Sequence, residues 1–405
     1  MSLLPLDDAL DRIKAAVPTI RGEEQVVLNT ALGRILAETV RSPIDVPAYT
    51  NSAMDGYAVR SDDLSSEGTV ALRVTGTSSA GHPFAGEVRK GETVRIMTGA
   101  VLPQGADTVV MQEQVERDGD LAHIGTGHRP GQHVRHAGED LARGQTVLEP
   151  GRRLTPADLG SLASLGVGEI RVKRRLRVAF FSTGDELRSP GEPLGEGEIY
   201  DSNRYMLHAL LTRLGVDLID MGVIRDQREA IEQAFHDAAA IADTVITSGG
   251  ASVGEADYVS ETLARLGQVD FWKIAIKPGK PLAFGKVNDA LFFGLPGNPV
   301  SAVVTFYQIV QPALLQQMGA TGITPLRLHA TCTTDLKKRP GRTEFQRGIL
   351  QQDEQGRLTV ASSGHQGSHI LSSMSRANCF IVLPADNAGV RAGELVEVQP
   401  FAGLV

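Results

Sequence analysis

Four short segments combine backbone-permissive residues with groups able to handle an anion or a hard metal ion. They are STGDEL (residues 182–187), the stretch around Asp226, SGGASVGEADY (248–258) and GLPGNP (294–299). Glycines let bare N–H groups approach a phosphate. Asp185, Glu186, Asp226, Glu255 and Asp257 supply carboxylate oxygens of the kind that suit Mg²⁺. A nucleotide with its metal would satisfy both. KIAIKPGKP (273–281) adds Lys277 and Lys280 on either side of a Pro-Gly turn, a compact trap for an oxyanion. Each segment has a plainer reading. SGGASVGEADY can be a tight turn feeding a helix near Tyr258. Asp226 with Glu229 matches a capping box, and Asn298 can cap the helix after GLPGNP. Only their coincidence on one edge of a sheet favours a site. GEPLGEGEIY (191–200) lacks the GK[ST] ending of a phosphate loop and reads as a surface loop. His128, His133 and His136 beside Arg129 and Arg135 read as a solvated loop rather than zinc ligands.

Such a convergence needs a parallel sheet, because ligands bind outside the carboxyl ends of its strands. Residues 175–322 supply the alternation, with strand-like runs at 176–182, 217–224, 243–247 and 269–276. Helical patterns lie at 203–214, 228–241 and 258–266. A helix is expected from Leu6 to about Val40. Thr155, Pro156 and Asp158 signal a second helix start, so residues 1–45 and 150–174 form one helical linker domain. Between them, 46–149 reads as an inserted β domain with strands at 70–74, 93–97 and 108–112. After residue 322, short strand patterns at 326–331, 343–350, 380–383 and 395–398 predict a C-terminal β-barrel domain, 323–405. The fold class is multidomain α/β and β.

A chain of 405 residues exceeds one core, and a net charge of −8 argues against a broad nucleic-acid surface. Only Cys332 and Cys379 occur, outside any CxxC spacing, which suits a reducing cytoplasm. The N-terminus carries Asp7, Asp8 and Asp11 where a signal peptide would need basic and apolar runs. The apolar stretch 299–310 is too short for a bilayer. No membrane span is expected.

Further motifs lie at SPIDVPAYTNSAMDGYAVR (42–60), RIMTGAVLPQGADTVVMQE (95–113), PGQHVRHAGED (130–140), YDSN (200–203) and GRTEFQRG (341–348). With the segments above, and in this order, they resemble the molybdopterin molybdenumtransferase family, the bacterial MoeA family that is similar to the gephyrin E domain. Ala251 stands where a valine is common. The resemblance implies that adenylylated molybdopterin and molybdate bind, AMP leaves with the help of Mg²⁺, and molybdenum ends on the dithiolene. It implies Glu186, Asp226 and Asp257 as catalytic and metal-holding acids. Asp185, Ser248, Gly249, Gly250, Ser252, Gly254, Pro296 and Pro299 would contact the substrate, and Lys277, Lys280, Arg342 and Ser373 the molybdate. Asp55 and Thr98 of the inserted domain would complete the partner's site in a homodimer, although Asp55-Gly56 is also a plain turn signal. The adenylyltransferase and molybdoenzyme acceptors are expected as further partners. The rival readings are a molybdopterin adenylyltransferase-like enzyme on the same α/β domain and a gephyrin-like scaffold.

Overall fold

The computed structural model describes residues 3–249, 258–322 and 324–401. The first helix, Leu6–Ala16, buries Ala9 and Ile13, with Asp7 and Asp8 in its first turn and Lys14 in its last. It does not continue to Val40 as expected. Val17 is extended ahead of Pro18, and Glu23–Val27 forms a strand antiparallel to Glu169–Lys173. The helical expectation failed because EEQVV finds its partner far along the chain. Pro156–Ser164 is a helix, and its Thr155/Asp158 capping box forms. Ala31, Leu36, Leu148, Leu154, Leu162, Ile170 and Val172 share one core, which closes the flanks of the insertion on each other.

Six strands of the β unit form one sheet in the order Thr108–Met111, Gly56–Val59, Glu92–Ile96, Val70–Ser78, Leu121–Ile124 and Val115–Asp118. Gly56 is required at the second of these. A Cβ there would lie 2.0 Å from the Val110 carbonyl oxygen.

The α/β sheet runs Asp217–Ile224, Arg177–Thr183, Thr244–Ser248, Ala290–Leu295, Pro281–Val287, Gly267–Lys273. The first four strands are parallel, whereas the last two attach antiparallel. The expected all-parallel sheet is corrected at that edge: Asn288, in the left-handed region at φ 53°, turns a tight hairpin between Val287 and Ala290. The helix Ser202–Leu214 covers one face through Leu207, Leu211 and Leu214. Arg228–Ile241 covers the other through Ile231, Ala234, Phe235 and Ala238. Phe180, Phe181, Phe292 and Phe293 are fully buried between them, each contributing about 1.5–3 kcal/mol.

Asp243 pins the base of this sheet. Its carboxylate accepts from Arg174 Nη1 and Nη2 at 2.7 and 2.8 Å and from the Arg177 N–H at 2.9 Å. Burial raises this carboxyl, but the hydrogen bonds from Arg174 and Arg177 outweigh it and hold the group below its ordinary 3.8. A depressed folded-state value gives stability that is present above the unfolded carboxyl range and lost as pH falls through the folded one. Asp243→Ala should therefore cost about 3 kcal/mol near neutral pH. In acid denaturation followed by circular dichroism, its deficit against the unsubstituted protein should shrink below about pH 4. A deficit that stays constant would refute this assignment.

The C-terminal strands Thr343–Gln352, Leu358–Ser362, Leu328–Cys332, Leu395–Pro400 and Cys379–Leu383 close into a five-stranded barrel, the last pairing back on the first. Cys332 and Cys379 are free and buried in its core; burial pushes the Cys379 thiol up to about 12. The short strand Ile276–Lys277 pairs in parallel with Thr343 and Glu344, which ties the KPGKP turn to the barrel. Among the described residues, no helix is long and apolar enough to cross a membrane.

Candidate active site

A cavity of about 520 Å³ opens at the carboxyl ends of the parallel strands. Thr183, Ser248 and Gly249, Pro296 and Pro299 line it from three strand ends, with Glu186 beside them. The expected residues Glu186, Ser248, Gly249, Pro296 and Pro299 thus meet in one place. Gly184 makes room for one of them, because a Cβ there would lie 2.5 Å from Glu186 Oε2 and its φ is 147°. The Asp226 N–H donates to Asp185 Oδ1 at 3.2 Å, joining the first two loops. Asp226 is not a helix cap, since Gln227 occupies that position and makes no side-chain capping bond. Asn298 does stand at the cap of Pro299–Thr305, yet its side chain makes no capping bond and it lines the cavity. Gly250, Ser252, Gly254 and Asp257, together with Glu255, lie outside the described residues.

The centre of the cavity holds residues whose roles the sequence reading did not assign. Asp201 caps the helix Ser202–Leu214 by accepting the Arg204 N–H through Oδ1 at 3.0 Å. At the second residue of that helix, Asn203 Nδ2 donates to Ser248 Oγ at 2.8 Å and to the Gly297 carbonyl at 2.7 Å. A single amide thereby sets the spacing of two loops that line the cavity. Asp201 and Asn203 are 2% and 7% exposed, and Asp201 Oδ2 and Asn203 Oδ1 have no hydrogen-bond partner among the described residues. Buried acceptors are rarely left unpaired. Their place in YDSN was the available signal, and its meaning depends on loops far away in sequence.

A second cavity, of about 690 Å³, is lined by Lys277, Lys337, Lys338, Arg339, Pro340, Arg342 and Glu344. The KPGKP turn joins the two, since Pro281 lines the first cavity and Lys277 the second. Burial pushes the Lys338 ammonium down from its usual range, and its Nζ donates to the carbonyls of Ala385 and Asn387 at 3.2 and 2.8 Å. Of the expected oxyanion ligands, Lys277 and Arg342 share this cavity. Lys280 is exposed and lines neither cavity; its carbonyl accepts the Ile274 N–H. Ser373 is fully buried, accepts from Arg347 Nε at 3.0 Å and donates to the Ile370 carbonyl, so its hydroxyl is committed internally. Burial lowers the Arg347 guanidinium to about 10.

Asp55 and Thr98 meet on the β unit, where Asp55 Oδ1 accepts the Thr98 N–H and its hydroxyl, both at 2.7 Å. Those two bonds hold the Asp55 carboxyl below its ordinary range. The pair lines neither cavity of its own chain. On the same unit, His128 Nδ1 lies 2.9 Å from Gln132 Nε2.

Residues 4–166 match the MoeA N-terminal region (domain I and II), 179–316 the probable molybdopterin binding domain, and 329–401 the MoeA C-terminal region (domain IV). A molybdopterin molybdenumtransferase of Haemophilus influenzae is 48% identical over 406 residues, covering 100% of both chains. One from Nostoc sp. is 37% identical over 93% of this chain and 88% of its own. The solved molybdopterin biosynthesis MoeA protein of Pyrococcus horikoshii superposes with a TM-score of 0.86 at 31% identity, covering 99% of this chain and 100% of that one.

Proposed function

The chain belongs to the molybdopterin molybdenumtransferase family, and from that premise we propose how its two cavities divide the work of molybdenum cofactor biosynthesis. Full-length similarity to transferases leaves the adenylyltransferase-like and scaffold alternatives unfavoured. The first cavity takes adenylylated molybdopterin. The observation that carries this reading is the pair of buried acceptors without a partner among the described residues, Asp201 Oδ2 and Asn203 Oδ1, at the ends of parallel strands. Heterocyclic N–H donors of an adenine or a pterin would satisfy them. The glycine backbone after Ser248 and the floor formed by Pro296 and Pro299 then hold the phosphates against the acidic loops.

Among the described residues no three acids gather as a metal cluster, but Glu186 in the cavity, with Asp185 and Asp226 on the two adjoining loops, fits Mg²⁺ held by one or two carboxylates together with phosphate and water. Asp257 would join them. Bound there, Mg²⁺ supplies charge neutralisation for cleavage of the pyrophosphate bond. Glu186 faces the cavity, while Asp185 accepts the Asp226 N–H and so fixes the second acid relative to the first. The second cavity gathers molybdate, a tetrahedral dianion, through Lys277 and Arg342. Lys280 and Ser373 join only if the KPGKP turn and the Arg347–Ser373 contact rearrange. In a cytoplasmic homodimer, Asp55 and Thr98 serve the site of the partner subunit, and the finished cofactor passes to acceptor enzymes.

The decisive experiment is single-turnover AMP release from adenylylated molybdopterin. Release should be stoichiometric with molybdate and Mg²⁺ and close to absent without molybdate. Equal release in both conditions would rule out coupled insertion.

A further inference from the structure

The basic cavity contains an anion of its own. Glu344 is 4% exposed, and its Oε1 accepts from Lys277 Nζ at 3.0 Å and from Gln346 Nε2 at 3.1 Å. Every other charged residue lining the cavity is cationic: Lys277, Lys337, Lys338, Arg339 and Arg342. The pair is unequal in mobility. The Lys277 side chain is 46% exposed, whereas that of Glu344 is 5% exposed and held on a barrel strand directly opposite Lys277 in the parallel register. Lys277 can swing toward a ligand, but the carboxylate cannot leave.

We propose that Glu344 is a built-in competitor for Lys277 that sets oxyanion affinity in this cavity, an inference that rests on the cavity taking a tetrahedral oxyanion. Before a ligand binds, Glu344 neutralises Lys277 and holds it at 3.0 Å. A fully deprotonated oxyanion has only acceptor oxygens, as the carboxylate does, so the two cannot bond to each other, and they compete through the position of the Lys277 ammonium, which Glu344 holds at 3.0 Å. Reaching the oxyanion draws Lys277 away from its contact with Glu344, and giving up that contact weakens binding. An oxyanion held loosely can be handed on to the neighbouring cavity across the KPGKP turn.

Calorimetric titration of the full chain with tungstate and with sulfate tests this. E344Q keeps the side-chain shape and an acceptor for Lys277 and Gln346, and it should bind both anions about tenfold more tightly. K277Q should bind them more weakly, and in K277Q/E344Q most of the gain from E344Q should disappear. If K277Q weakens binding but E344Q is no tighter than the unsubstituted protein, the competitor role is overturned and the oxyanion cavity stands. If K277Q binds as the unsubstituted protein does, or if none of these proteins binds either anion, the oxyanion reading itself fails. Should E344Q lose its melting transition, E344D withdraws the carboxylate by one methylene and should bind about threefold more tightly. No gain there would also overturn the proposal.

Discussion

Coexpressed subunits carrying Asp55→Ala and Asp226→Asn should recover about a quarter of the unsubstituted AMP-release activity, although either variant alone should lose about 100-fold or more. Two 2.7 Å bonds from Thr98 converge on one Asp55 carboxylate oxygen and hold that carboxyl below its ordinary range, yet the pair lines neither cavity of its own chain. A C₂ dimer of the proposed kind, presenting each β unit to the other subunit, would give them a substrate. The Asp55→Ala subunit retains intact acidic loops, and the Asp226→Asn subunit retains an intact β unit. Their heterodimer therefore rebuilds one complete site and one doubly broken site. Random pairing makes half of the dimers heterodimers with half of their sites active, hence about a quarter. A mixed preparation as inactive as its parents, with heterodimers verified by mass, would show that the sites do not exchange parts.

The elements most legible in the sequence were those whose signal is local. The helix Arg228–Ile241 and the strand Asp217–Ile224 carry their own periodicity, and Thr155 to Asp158 announces a helix start within four residues. STGDEL and GLPGNP were readable because a strand that runs into glycine describes one wall of a candidate cavity without reference to the rest. What was missed depends on distant partners. The strand Glu23–Val27 was absorbed into a helix because its register is set by Glu169–Lys173. The edge hairpin hung on Asn288 adopting a left-handed turn. Glu344 looked like an ordinary strand residue until the register across from Ile276–Lys277 set it opposite Lys277. Asn203 was visible in YDSN, but Ser248 and Gly297 are 45 and 94 residues away, and no pattern within YDSN encodes that distance.

That amide gives the other large effect, because Asn203→Asp changes one NH₂ to an oxygen without altering shape. Asn203 Nδ2 bridges Ser248 Oγ and the Gly297 carbonyl, at 2.8 and 2.7 Å, and the residue is 7% exposed. As a carboxylate it faces the Gly297 carbonyl with an acceptor against an acceptor. Ser248 can turn its hydroxyl to donate, but the carbonyl has no such freedom. The cost is a buried, unpaired carbonyl beside a buried charge, about 3 kcal/mol. The Pro296–Pro299 loop relieves it most cheaply by moving away from the Ser248 strand end, which widens the cavity where the ligand's N–H donors would bind. Single-turnover AMP release should therefore fall about 100-fold, since displacement of positioning groups by an ångström costs that much. AMP affinity, measured by calorimetry, should fall with it, and the thermal midpoint should drop. Asn203→Ala separates the two causes. It removes the bridge without adding a charge, so it should lose less stability than Asn203→Asp and still bind AMP poorly. If Asn203→Ala binds AMP as the unsubstituted protein does, the bridge is dispensable, and the spacing of the two loops must be set by the strands alone.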